Sequence, residues 1–104
     1  MARRRPAAGA LNMAAGSAEV VMYTTSWCPY CSRARKLFED KGVKYTEIDV
    51  EAVDGARAQM QQRSGRTSVP QIFVGDRHLG GYDDTSALDR RGELDTLLAA
   101  ARGA

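Results

Sequence analysis

The sequence predicts one α/β domain in which helices cover both faces of a mixed four-stranded sheet. Its 104 residues suit a single packed core rather than two. The predicted elements follow the order strand, helix, strand, helix, strand, strand and helix, without an internal repeat. The opening strand–helix–strand unit implies parallel pairing through a right-handed crossover. A later β-hairpin adds two antiparallel strands, so we expect the sheet to be mixed.

The first unit is predicted from a change in apolar spacing. Residues 20–23 form a short apolar run, which is typical of a buried strand. A helical stripe follows, made of Tyr30, Ala34, Leu37 and Phe38. Gly42 stands where a glycine commonly ends a helix. Residues 43–50 contain several β-branched and aromatic side chains, which predict the second strand.

The second half is predicted from glycine positions and further apolar stripes. A second helical stripe comprises Val53, Ala56 and Met60. That helix is expected to end at Gly65. Residues 71–74 and 77–79 flank Gly75–Asp76, a two-residue loop that indicates a β-hairpin. A helix is expected to begin near Asp83, and a last helical stretch carries Leu94, Leu97 and Leu98.

Composition and charge exclude several classes of protein. Hydrophobic residues make up 43% of the chain, and no stretch reaches the roughly 20 apolar residues that span a bilayer. The formal net charge is +2, but three of the 15 basic side chains lie in residues 1–17, which leaves 12 against 13 acidic ones. We therefore expect no membrane and no nucleic acid among the partners.

Residues 1–17 differ in composition from the rest of the chain. They are rich in Ala, Gly and Arg and contain no acid. Pro6, Gly9 and Asn12 interrupt the apolar run that a secretory signal would need. We expect a disordered extension here and a folded domain over residues 18–104. A transit segment and an extension upstream of a functional start at Met13 stay open.

The main chemical feature is a pair of cysteines, Cys28 and Cys31, at the junction of the first strand and helix. Pro29 suits the first helical position, because proline lacks an N–H and its φ is preset. Cys28 then becomes the N-cap, where free amides and the partial positive charge of the helix start favour a thiolate. Cys31 falls on the first turn and should be less exposed.

Redox chemistry is the function that this pair favours. Two cysteines and one histidine cannot complete a four-ligand zinc site within one chain. Two cysteines are also too few for a disulfide-stabilised secreted scaffold. A metal or cluster shared between two chains and inert packing of the two cysteines stay open as alternatives.

Three segments are more specific than the cysteine pair. They are residues 23–31 (YTTSWCPYC), residues 66–73 (RTSVPQIF) and residues 80–84 (GGYDD). With these motifs the chain resembles a glutaredoxin over nearly all of residues 20–100, most of all the small bacterial dithiol class. The resemblance implies the thioredoxin fold. It also implies a glutathione-dependent thiol–disulfide oxidoreductase that reduces glutathione mixed disulfides and protein disulfides.

The resemblance implies roles for individual residues as well. Cys28 is expected to be the nucleophile and Cys31 the resolving thiol, with glutathione as co-substrate, no tightly bound cofactor and no metal. Val69–Pro70 is expected to be a cis peptide bond. The expected glutathione contacts are Tyr30, Arg57, Ser68, Val69, Pro70, Gly81, Tyr82 and Asp83. Glutathionylated proteins and protein disulfides are the expected partners, and we expect a cytoplasmic monomer.

Two positions depart from the family pattern. Many glutaredoxins carry Lys where this chain has Thr25, and many have a smaller side chain where it has Tyr82. The Thr25 departure removes a cation near the expected thiolate. The Tyr82 departure is expected to narrow the glutathione-binding groove that the resemblance implies. Either Asp83 or Asp84 is expected to contact the ammonium group of glutathione, while the other caps the helix.

Two other functions stay open from the sequence. A thioredoxin-type protein disulfide reductase would use the same pair of cysteines without glutathione. A glutathione-ligated iron–sulfur cluster carrier would bridge two chains through Cys28. The motifs at residues 66–73 and 80–84 favour the glutathione-dependent enzyme over the thioredoxin-type reductase. Against the cluster carrier, the resemblance implies that Pro29 disfavours the cluster-bound state.

Overall fold

The computed structural model describes residues 19–103, so the predictions for residues 1–17 lie outside the described residues. The elements run in the order β1 (Val20–Thr24), α1 (Pro29–Asp40), β2 (Thr46–Asp49), α2 (Ala56–Ser64), β3 (Gln71–Val74), β4 (Arg77–Gly80), α3 (Tyr82–Arg90) and α4 (Glu93–Gly103). The strands form one sheet in the order β2-β1-β3-β4. β1 pairs with β2 in parallel, and β3 is antiparallel to both β1 and β4. The predicted mixed four-stranded sheet is confirmed.

The two faces of the sheet carry separate apolar cores. Met22 and Ile72 are partners in the β1–β3 register and point into a core that also contains Phe38 of α1 and Leu94 of α4. The next residue on each strand points the other way, because side chains alternate along a strand. Tyr23 and Phe73 therefore lie in a second core with Ala56 and Met60 of α2. Helices cover both faces, as the sequence predicts.

Three boundaries differ from the prediction. β2 is shorter than residues 43–50, and Val53 lies outside α2 with 51% of its surface exposed. The predicted order has one helix after the hairpin, whereas the structure has two, α3 and α4. Gly92, with φ of +77°, follows the C-cap of α3 in a left-handed conformation that ends the helix. Within residues 19–103, none of the helices has the length and apolarity needed to cross a membrane.

Candidate active site

The N-terminus of α1 places the two cysteines. Pro29 is the first residue of α1 and Cys28 is its N-cap, with extended φ and ψ of −84° and 121°. Both cysteines are free thiols. Cys28 is only 6% exposed and Cys31 is fully buried, so Cys31 is the less accessible thiol, as expected. The Cys28 side chain makes no capping hydrogen bond to the first turn. Its Sγ donates instead to the Val69 carbonyl oxygen at 3.8 Å.

The environment of Cys31 keeps its thiol protonated. Burial raises the pKa of Cys31 to about 11, and a hydrogen bond with Cys28 and the charge of Cys28 act in the same direction. A backbone hydrogen bond from Thr25 and the positive charge of Arg35 oppose this rise. At neutral pH the buried sulfur is therefore a thiol held beside the sulfur of Cys28. Cys31 is therefore a weak nucleophile at neutral pH, because the thiolate is the reactive form of a cysteine.

A groove of about 210 Å³ lies between the start of α1, the loop before β3 and the start of α3. Its lining residues are Tyr30, Arg66, Ser68, Val69, Pro70, Gly81, Tyr82, Asp83 and Asp84. Seven of the eight residues expected to contact glutathione therefore lie together, and only Arg57 is missing. The Val69–Pro70 peptide bond is cis, as expected. The groove also contains Asp84, one of the two candidates for the ammonium contact, and Arg66, which is not among the expected contacts although it lies in the motif of residues 66–73.

The start of α3 is built around the carboxylate of Asp84. The Gly81 N–H donates to Asp84 Oδ2 at 3.0 Å, and Arg66 Nη1 lies 2.8 Å from the same oxygen. The Arg66 guanidinium, with the Gly81 N–H, lowers the pKa of Asp84. Gly80 has φ of +102°, and a Cβ there would lie 2.8 Å from Asp84 Cγ. Asp83 and Asp84 are both exposed on the groove, and Asp84, the third residue of α3, is the one whose carboxylate accepts from the N-cap backbone.

Two tyrosines form the aromatic side of the groove. The ring centroids of Tyr30 and Tyr82 are 6.4 Å apart, and the guanidinium carbon of Arg33 lies 5.1 Å from the Tyr30 centroid. This arrangement gives the groove an aromatic rim next to Cys28, with one cation stacked on its outer side.

Two residues that the sequence analysis associated with the site lie elsewhere. Arg57, on α2, lines a different depression with Val53 and Asp54, and its guanidinium lies 3.8 Å from Glu51. Thr25 is 1% exposed and does not line the groove. Arg66 is therefore the arginine that the fold places at the groove. The sequence places Arg57 in the second predicted helix, but it does not show which depression that part of the helix borders.

Comparisons with known proteins agree with this arrangement. A family model described as Glutaredoxin matches residues 20–79. Glutaredoxin of Pseudomonas aeruginosa is 51% identical over 81 residues, which cover 78% of this chain and 96% of the relative. Glutaredoxin 3 of Escherichia coli is also 51% identical, covering 78% of this chain and 98% of the relative.

Solved structures of glutaredoxins superpose on this chain as well. The crystal structure of a buckwheat glutaredoxin–glutathione complex superposes with a TM-score of 0.75 at 32% identity, covering 81% of this chain and 79% of that one. The solution structure of glutaredoxin from Brucella melitensis gives a TM-score of 0.72 at 46% identity and covers 85% and 96% of the two chains. The fold predicted from the sequence is thereby confirmed.

Proposed function

Because the chain belongs to the glutaredoxin family, and is on that ground a thiol–disulfide oxidoreductase, we propose that it uses glutathione as its reductant. Its substrates would be glutathione mixed disulfides and protein disulfides. The observation that carries the proposal is the position of Cys28 Sγ, 3.8 Å from the Val69 carbonyl oxygen in the wall of the groove. The buckwheat relative was solved with glutathione, which supports the same ligand here.

The groove offers contacts for each part of the tripeptide. The Val69 backbone lies beside Cys28, where it can pair with the cysteinyl part of glutathione. Free N–H groups at the start of α3 suit the γ-glutamyl carboxylate, because a helix N-terminus attracts anions. Asp83 is the carboxylate we assign to the ammonium group, since Asp84 is engaged with Arg66 and Gly81.

The remaining contacts complete the ligand assignment. Ser68 and Pro70 form the wall on either side of Val69, and Tyr30 and Tyr82 form the aromatic side. Arg66 lies in the groove beside Asp84 at the start of α3, where its charge adds to the attraction for the γ-glutamyl carboxylate.

The proposed reaction begins with a thiolate exchange at Cys28. The Cys28 thiolate attacks the glutathionyl sulfur of a mixed disulfide, and the substrate thiolate leaves and takes a proton from water. A second glutathione thiolate then attacks the glutathionyl sulfur of the Cys28 adduct. This step releases oxidised glutathione and restores the Cys28 thiolate.

Protein disulfides need the second cysteine. Cys28 forms a mixed disulfide with the protein, and Cys31 attacks Cys28 Sγ, which releases the protein dithiol and closes the Cys28–Cys31 disulfide. Two glutathiones then reduce that disulfide and leave as oxidised glutathione. In keeping with these roles, we propose that residues 18–104 act as a cytoplasmic monomer without a tightly bound cofactor.

The test is steady-state turnover of a glutathionylated peptide, coupled to reduction of oxidised glutathione. The wild type should turn over only when glutathione is present. Equal turnover with a flavoprotein reductase and no glutathione would favour a thioredoxin-type reductase. Visible absorption after anaerobic purification, with loss of thiol turnover, would favour an iron–sulfur carrier.

A further inference from the structure

The wall of the groove that contains Val69 is a loop held mainly by side chains. Outside the helices and strands of the described chain, no backbone–backbone hydrogen bond involves residues 66–70. At one end of this loop, the Arg66 N–H donates to Ser64 Oγ at 3.0 Å. At the other end, the loop meets the side chain of Gln71. The position of the Val69 carbonyl beside Cys28 therefore depends on these side-chain contacts.

Gln71 is fully buried at the first position of β3. Its Nε2 donates to the Ser68 carbonyl oxygen at 3.0 Å and lies 3.3 Å from Ser68 Oγ. Its Oε1 lies 2.7 Å from His78 Nε2 on the neighbouring strand β4. Because the amide nitrogen faces the Ser68 carbonyl, Oε1 is the acceptor and His78 Nε2 must carry a proton. Both polar groups of the buried Gln71 amide therefore have a hydrogen-bond partner.

His78 is itself held in place by its neighbours. Its ring lies on that of Phe73, its partner in the β3–β4 register, with 4.8 Å between the centroids. Burial lowers the pKa of His78, and the positive charges of Arg66 and Arg63 add to that effect while Asp84 opposes it. The ring is accordingly neutral at physiological pH, with its proton on Nε2.

We propose that Gln71, oriented by His78, is a positioning residue that fixes the Ser68–Val69 backbone beside Cys28. The inference rests on the proposed function and deepens it, because that backbone is the part of the groove assigned to glutathione. Neither Gln71 nor His78 lines the groove. Both residues therefore act through the loop, and their loss should weaken glutathione recognition more than the chemistry at sulfur.

The first test replaces Gln71 with Met, which keeps a long, flexible side chain but removes the donor and the acceptor. We expect KM for a glutathionylated peptide to rise about five-fold, as for the loss of a typical net hydrogen bond. We expect kcat to change less than about two-fold, since the sulfurs are untouched. Val74→Ala is the matched control, because Val74 is buried on the same strand and belongs to the core of Met22 and Ile72, whereas Val69 packs against the other core.

The second test asks whether Gln71 and His78 act as one unit. His78→Phe keeps a ring against Phe73 but removes the donor to Gln71 Oε1, and should raise KM about two-fold. The double variant should match Gln71→Met alone, because residues in one network are not additive. A KM in Gln71→Met equal to that of Val74→Ala, or additive effects in the double variant, would overturn the proposal. If Gln71→Met does not fold, an unchanged KM in His78→Phe overturns it alone.

An NMR relaxation experiment separates this inference from the proposed function. If the wild type shows no glutathione-dependent turnover, the proposed function fails, and the role of Gln71 is then judged on the loop itself. The NMR order parameters of the Ser68 and Val69 amides should fall from the range of a rigid backbone, about 0.85, toward about 0.6 in Gln71→Met and should stay high in Val74→Ala. Equal order parameters in the two variants would show that Gln71 does not hold the loop.

Discussion

Replacing Cys31 with Ser tests how the two thiols divide the chemistry. Burial raises the pKa of Cys31 to about 11, so only about one molecule in 10⁴ carries a Cys31 thiolate at pH 7. Proximity offsets this handicap, because well-oriented neighbouring groups reach effective concentrations of about 10⁵ M or more. Multiplying the thiolate fraction by this effective concentration gives an effective Cys31 thiolate concentration of roughly 10 M.

The concentration of glutathione thiolate is far below this effective concentration of Cys31 thiolate. An ordinary thiol with a pKa near 8.5, present at about 1 mM, supplies on the order of 3 × 10⁻⁵ M of thiolate at pH 7. Formation of the Cys28–glutathione adduct removes the Cys28 charge that helps to raise the pKa of Cys31, so the thiolate fraction of Cys31 increases further. Attack by Cys31 on the adduct should therefore be faster than attack by a second glutathione. The adduct is diverted into the Cys28–Cys31 disulfide, which glutathione must then reopen. Cys31→Ser removes this detour.

The assay measures turnover of two substrates at fixed glutathione, a glutathionylated peptide and a protein disulfide. Cys31→Ser should retain or exceed wild-type turnover of the peptide and should lose turnover of the protein disulfide. Cys31→Ala serves as the control that removes the hydroxyl introduced by serine. Equal loss of both activities would refute the division of roles and would favour a thioredoxin-type mechanism that requires both thiols.

Three further predictions follow from the site and the core. Cys28→Ser should leave less than about 1% of peptide turnover, because the covalent adduct cannot form; higher residual turnover would remove Cys28 from the nucleophile role. Asp84→Asn should cost about 0–1 kcal/mol of unfolding free energy at pH 7, as for an exposed ion pair. Because the pKa of Asp84 is lowered in the folded state, that difference should be present above the unfolded pKa and vanish as pH falls through the folded one; a pH-independent difference would contradict it. Phe38→Ala, at a fully buried position, should cost about 3–5 kcal/mol in urea unfolding, and a loss below about 1 kcal/mol would show that the site repacks.

The features that the sequence predicts well depend on local spacing. The alternation of Met22 and Tyr23 between two cores is a property of any strand, and it follows from the apolar run alone. The position of Cys28 at the N-cap follows from Pro29, because proline fits the first helical position. These inferences need no knowledge of which segments meet in space.

The features that the sequence misses depend on long-range contacts. Val53 lies three residues before Ala56, which is a helical spacing, yet it is exposed and precedes α2. Spacing along the chain does not distinguish an apolar residue in a turn from one in the helix that follows. The break between α3 and α4 occurs at Gly92, whose φ of +77° ends α3, and the predicted order of elements counts only one helix there. The contact of Arg66 with Asp84 joins residues 18 positions apart, which periodicity does not report.

The positive charge at the groove comes from Arg66 and not from position 25. Thr25 is buried, its Oγ1 has no hydrogen-bond partner within the described part of the chain, and its carbonyl accepts from Arg35 Nη2 at 3.2 Å. Position 25 thus faces the interior, and Arg35 is paired with Glu47 at 2.7 Å. The cation at the groove is Arg66, which Asp84 holds at 2.8 Å. Because a carboxylate ligand must share Arg66 with Asp84, the groove attracts anions less strongly than an unpaired arginine would.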